Sequence, residues 1–205
     1  LQRSTKPTRT LYPLGRELPP LFPKTVDADE NIAKLTPILS APRAAAQPYS
    51  LPFFMAPTME QMLNECVVID ANGDARDGYN AWSFMEYFGN PAYWADKPAG
   101  DADDWLIFPA INIPDVSKAL KVSLDARATG LGTTESLEVR IGTAPAIEAL
   151  DKVVMSEPGV PYLTNYEFTH YNSLFALDKP GVYYLAVRCT SSQSSGWRML
   201  IQNLK

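Results

Sequence analysis

Residues 70–82 read DANGDARDGYNAW. Asp70, Asn72 and Asp74 fall at alternate positions, and Gly73 allows a sharp bend between the last two. Side-chain oxygens at that spacing can converge on one hard cation, which takes about six to eight oxygen ligands. Asp77 is placed to add a fourth ligand. The stretch is not an EF-hand, because Ala81 stands where that loop needs its bidentate glutamate. A second acidic stretch, GDADDW over 100–105, places Asp101, Asp103 and Asp104 just ahead of an apolar run. Asp103 is the acid expected to face the first loop, with a solvated turn as the competing reading of this stretch. The expected structural calcium is therefore held by Asp70, Asn72, Asp74 and Asp77, with Asp103 completing the set. The competing reading is an Asx-rich turn, since Asn, Asp and Gly populate turns for purely local reasons. From the residues alone both readings stand.

Aromatic residues gather in WSFMEYFGNPAYW, over 82–94. Trp82, Phe84, Glu86 and Phe88 alternate with Ser83, Met85 and Tyr87, which predicts a strand with one core face. The turn-rich residues 89–100 predict a loop carrying Tyr93 and Trp94. In such a loop Trp94 either plugs the end of the fold or forms an exposed platform. Tyr93, Trp94 and Asp96 are the candidate ligand-binding residues: two rings for stacking on a sugar and a carboxylate for its hydroxyls. Trp105 and Trp197 lie inside strand-like blocks and are expected to pack in the core or on a sheet.

Catalytic patterns are sparse. The single histidine, His170, sits in EFTHYNSL, where alternation predicts a structural or surface role. A triad would need that histidine to meet a nucleophile and an acid, and no nucleophile elbow is present. The two cysteines, Cys66 and Cys189, make neither a zinc cluster nor a disulfide framework. They are expected to be buried thiols, with a single bridge between neighbouring strands as the alternative, which would need an oxidising compartment. GLGTTES lacks the lysine of a phosphate-binding loop. No carboxylate pair stands out as a glycosidase would require. The expectation is a non-catalytic protein.

Charge and composition narrow the partners. Residues 1–47 carry seven Lys/Arg against four Asp/Glu, whereas 48–205 carry eleven against nineteen. An acidic body with no basic stripe repels phosphates, so nucleic acid is not an expected partner. No apolar run is long enough for a membrane span, and the first ten residues, LQRSTKPTRT, lack the apolar core of a signal peptide.

Ten of the eighteen prolines precede residue 58. Residues 1–47 read as an extended arm, a linker or the tail of a preceding module, with one short candidate helix at 28–35. Residues 48–205 form the expected domain. Thr58 and Gln61 fit a capping box and predict a short helix leading into CVVID as a strand. Beyond it come DDWLIFPAINI, ALKVSLDARA, SLEVRIGTA, KVVMSE, NYEFTHYNSLFAL, GVYYLAVRCTS and GWRMLIQNL. Short alternating runs with regular turn signals predict an all-β sandwich.

The ordered blocks IDANGD…W, DDWLIFPAINI, KVSLDARA, SLEVRIGTAP, KPGVYYLAVRCTS and WRMLIQNL resemble the cleaved-adhesin, or choice-of-anchor J, domain. Such domains recur in surface and secreted proteins of Bacteroidetes, including the haemagglutinin regions of gingipain proteases. The resemblance covers 48–205. It implies a jelly-roll sandwich related to galactose-binding domains. It also implies a non-catalytic cell-surface or secreted adhesion module, attached to other domains of a larger chain, that binds a glycan or a host or extracellular protein. A carbohydrate-binding module of a glycan-utilisation system is the alternative. The family often holds a structural calcium near its first and last strands. Here the family's opening acids are replaced by LPFFMAPT and its closing Asp-Asn-Ile by Gln202, Asn203 and Leu204.

Overall fold

In a computed structural model the chain is described over residues 47–75, 81–96, 100–194 and 196–205. The arm expected over 1–47, apart from Gln47, and Asp77 lie outside the described residues.

The single helix among them, α1 (Met59–Glu65), starts where the capping box places it. Thr58 Oγ1 accepts from the Gln61 amide at 3.1 Å, satisfying one of the orphan donors of the first turn. The helix buries only Met62 and hands the chain to β2 (Val67–Asp70).

Two sheets follow. One contains β1 (Tyr49–Ser50), β2, β5 (Asp104–Ile107), β6 (Ile111–Ile113), β8 (Thr134–Gly142), β9 (Lys152–Pro161) and β11 (Gly181–Cys189). The other runs β10 (Thr169–Phe175), β7 (Leu120–Ala128), β12 (Arg198–Gln202), β4 (Asn90–Asp96), β3 (Trp82–Tyr87). β11 is the hub of the first sheet. Along one edge it pairs with β5 and then β6, the two halves of DDWLIFPAINI separated at Pro109. Along the other edge it pairs with β8. Proline has no amide to give a ladder, so the break falls where the sequence places it.

The inward faces meet in one core. Val122, Leu124 and Ala126 of β7 and Leu137, Val139 and Ile141 of β8 are buried in it, on the predicted alternation. Gly142 ends β8 at a close backbone approach. A Cβ there would stand 1.7 Å from the Ala149 carbonyl oxygen of the following 3-10 turn. Cys66 and Cys189 are free thiols, the first half-buried and the second fully buried. Among the described residues the architecture is a jelly-roll β-sandwich with one short α-helix.

Two expectations are corrected. Residues 90–96 are not a loop but β4, joined to β3 by the two-residue turn Phe88-Gly89. Pro91 is tolerated there because β12 reaches only Tyr93–Asp96, so no neighbour asks for its missing amide on that side. Trp197 is not in the core: it precedes β12 and is 57% exposed.

Candidate functional site

β2 and β5 run antiparallel with Asp70 opposite Asp104. This register joins the two acidic stretches that the sequence separates by some thirty residues. Strand alternation sends Asp104 and Leu106 to the inner face and Asp103 and Trp105 to the outer one. Accordingly Leu106 lies in the main core, whereas Trp105 packs in a separate outer cluster with Ile107, Leu150 and Ala186.

Asp70, Asp74 and Asp104 each offer a carboxylate oxygen within 4.8 Å of the others. Asp104 is 1% exposed, and neither of its carboxylate oxygens has a hydrogen-bond partner. Oδ2 of Asp74 is likewise buried and unpartnered. Burial pushes the Asp104 carboxyl up to about 7, and the neighbouring charges of Asp74, Asp70 and Asp103 add to the effect. A carboxylate so placed is neutralised either by a proton or by a cation. The donors are all oxygen, which suits a hard divalent cation such as calcium rather than zinc or copper.

The turn reading also has its geometry. Asp70 Oδ1 accepts from the Gly73 amide at 2.7 Å and the Asp74 amide at 3.3 Å, and its Oδ2 accepts from the Ala75 amide at 2.8 Å. Gly73 supplies the left-handed residue of the bend, with φ of 72°. Turn and acid cluster are therefore one object: the hydrogen bonds that close the turn also aim Asp74 at Asp104.

The remaining sequence candidates separate. The Asn72 side-chain amide donates to the Asp101 carbonyl at 2.7 Å, tying the two loops together. Asp103 does not join the cluster. Its Oδ1 accepts from Arg188 Nε at 2.6 Å and Trp105 Nε1 at 2.7 Å on the outer face. Burial alone would raise its pKa, but these bonds outweigh it and hold the carboxyl below its usual range. Asp104 takes its place. Sequence reading missed this because both acids precede the same apolar run, and only the β2–β5 register decides which one faces Asp70.

Tyr93 and Trp94 point to opposite faces of β4. Tyr93 is core. Trp94 lies on the outer face, 7% exposed, packed with Ala92 and Leu200 beneath the Arg198 guanidinium 4.3 Å from its ring. Arg198 also reaches Asp96 at 3.4 Å. The three residues thus do not form one open platform. His170 is a surface residue whose Nδ1 lies 2.7 Å from Asp125 Oδ1.

The fold has counterparts among solved structures. The K1 cleaved adhesin domain of Lys-gingipain from Porphyromonas gingivalis W83 superposes with a TM-score of 0.53 at 17% identity, covering 75% of this chain and 98% of that one. The K3 domain gives 0.53 at 14% identity, covering 73% and 95%. The K2 domain gives 0.52 at 16% identity, covering 74% and 96%. No protein-family model matches the sequence, and neither does any curated protein. At these identities the likeness is one of fold, and that fold is the jelly roll of the cleaved adhesin domains, as the ordered sequence blocks imply.

Proposed function

We propose that this chain is a non-catalytic, surface-exposed or secreted adhesion module whose loop pole is pinned by a divalent cation, with calcium the fitting ion. The observation that carries the reading is Asp104, a buried carboxylate without a hydrogen-bond partner, facing Asp70 and Asp74. Asp70, Asp74 and Asp104 would hold the ion, which would supply charge neutralisation and tie the 70–75 turn to the start of β5. The site sits where the two acidic stretches meet, and three converging carboxylate oxygens suit a hard structural ion. The adhesin-type fold supports the same reading, with a glycan or an extracellular protein as partner and other domains of a larger chain as neighbours.

The test is thermal unfolding of the full chain in EDTA and in millimolar calcium. An ion present at about one hundred times its Kd adds about 2.7 kcal/mol, which for a domain of this size raises Tm by about 5–10 °C. The rise is expected for the native chain and absent for Asp104→Asn. No shift in the native chain overturns the cation reading.

A further inference from the structure

We propose that the solvent face of the β10-β7-β12-β4-β3 sheet carries a binding site for a neutral oligosaccharide, with Phe88 and Tyr166 as its stacking ledge. The inference deepens the adhesion reading and rests on it.

The ledge is built against the local rules. Phe88 is the first residue of the β3–β4 hairpin turn, with φ of 49°, and Gly89 follows with φ of 78°. Two left-handed central residues make a turn of the type that favours Asn-Gly. A phenylalanine there is disfavoured by its backbone and buries little, since it is 68% exposed. Tyr166, in the β9–β10 connection, is a second non-glycine residue at positive φ, 62°. The two rings lie 4.3 Å apart at an interplanar angle of 36°. Strained backbone that presents an aromatic pair to water points to function rather than folding.

The ledge is held from beneath. Arg127 of β7 is completely buried, and its guanidinium lies 4.9 Å from the Tyr87 ring centre and 5.6 Å from that of Tyr166. Its Nη2 donates to the Leu163 carbonyl at 3.0 Å, fixing the start of the loop that carries Tyr166. The rings are thus pre-set, which lowers the entropy cost of binding.

Beside the ledge lies a groove of about 550 Å³, within the range of small-ligand sites. Asn90, Asn165 and Gln202 line it with amides, and Asp125 and Glu167 with carboxylates. Amides both donate and accept, as sugar hydroxyls do, and carboxylates accept from them. Asp125 is already oriented by Asn203 Nδ2 at 2.7 Å and by His170. Among the described residues the lining includes two acids and neither Lys nor Arg, and the Arg127 charge is sealed behind the rings. Uronate, sialic and sulfated sugars are therefore repelled, and a neutral glycan fits. Amides and carboxylates beside an exposed ring pair match the two surfaces of a sugar, its hydroxyl edge and its C–H face, and that pairing makes a glycan the fitting occupant.

The test is calorimetric titration of the full chain with neutral hexasaccharides of β-linked glucose, xylose, mannose and galactose, with a heparin hexasaccharide as the acidic control. Binding of at least one neutral sugar and none of the heparin fragment is expected. Phe88→Asn and Tyr166→Ala should each weaken it about tenfold or more, the worth of a lost aromatic contact. Phe88→Asn suits the left-handed turn, so an intact melting curve with lost binding separates this effect from misfolding. Binding that survives both substitutions overturns the site. If none of the neutral sugars binds, the glycan assignment is overturned; binding of an extracellular-matrix protein in a parallel titration then leaves the adhesion reading standing. Cleavage of a bound sugar would instead overturn the non-catalytic reading.

Discussion

Asp70 and Asp104 face one another as a directly opposed pair on antiparallel β2 and β5, and Asp104 is buried while Asp70 is spent on closing a turn. Like charges directly opposite destabilise a sheet. The register therefore makes sense when something neutralises the pair, and Asp74 brings a third carboxylate to the same point.

A prediction follows that separates the two neighbouring acids. Asp104→Asn removes a buried, unpartnered carboxylate, so Tm in EDTA should rise while the response to calcium disappears. Asp103→Asn should do the reverse. It weakens the bonds to Arg188 and Trp105, lowering stability by about 1–2 kcal/mol, and it keeps the calcium response. Melting curves of the two variants with and without calcium decide the matter, and a calcium response lost only in Asp103→Asn would sink the geometric assignment.

The Phe88 turn gives a second. Moving Asn into the left-handed position should recover about 1 kcal/mol of backbone cost. Losing the ring stack on Tyr166 should cost about the same, 0.5–1.5 kcal/mol. The two offset, so Tm of Phe88→Asn should stay within a few degrees of the native value while sugar affinity falls. A drop in Tm of more than about 5 °C, equivalent to roughly 2 kcal/mol, would mean the ring is a packing element.

The cysteines give a third. Burial, with the nearby Glu65 charge adding to it, pushes the Cys66 thiol up to about 12. Burial likewise pushes Cys189 up to about 12, against weaker opposition from its bonds with Ser191. Thiolate is the reactive form, so neither residue should react with an aromatic disulfide reagent at pH 8, and both should react once the chain unfolds in guanidinium. The stability consequence has a definite sign. An unfolded thiol ionises near about 8.5. Below that pH both states keep their protons and nothing changes. Above it the unfolded chain ionises first, so the thiols' contribution is lost progressively from about pH 8.5 upward. Cys189→Ala should remove part of that alkaline slope in urea unfolding.

Much of this was legible in the sequence, and the reasons differ by element. β7 and β8 alternate strictly because one face of each meets the core and the other meets water or charge. The capping box announced α1, and Pro109 announced the β5–β6 break. The 70–75 turn was visible too, since Asp70 and Gly73 do purely local work. What stayed hidden depends on partners far away in the chain. β4 read as a loop because Gly89, Asn90 and Pro91 are turn residues, and only the reach of β12 explains why a proline is accepted there. Asp103 and Asp104 are adjacent in sequence yet point to opposite faces, and the register with β2 that chooses between them leaves no local mark. The aromatic ledge was missed for the same reason. Phe88 fitted the inward alternation of β3 with Trp82 and Phe84, whereas in the fold it turns the corner and meets Tyr166 from a connection nearly eighty residues later.

Trp94 carries the last prediction, because its sequence neighbourhood suggested a sugar platform and its surroundings argue for packing. The ring is roofed by Arg198 and wedged against Leu200 and Ala92 on the sheet's outer face. Truncation would open a hole under the guanidinium and expose Leu200. Removing a buried tryptophan typically costs about 3–5 kcal/mol, so Tm of Trp94→Ala should fall by about 6–20 °C at the usual 2–4 °C per kcal/mol. Sugar affinity, measured well below that melting temperature, should change less than about twofold, within roughly 0.4 kcal/mol. Arg198→Met serves as the companion variant: it removes the cation over the ring but keeps an apolar lid, and should cost about 1 kcal/mol, the order of a cation–π contact. A tenfold loss of sugar affinity in Trp94→Ala with its Tm unchanged would return the binding face to Trp94 and take it away from Phe88 and Tyr166.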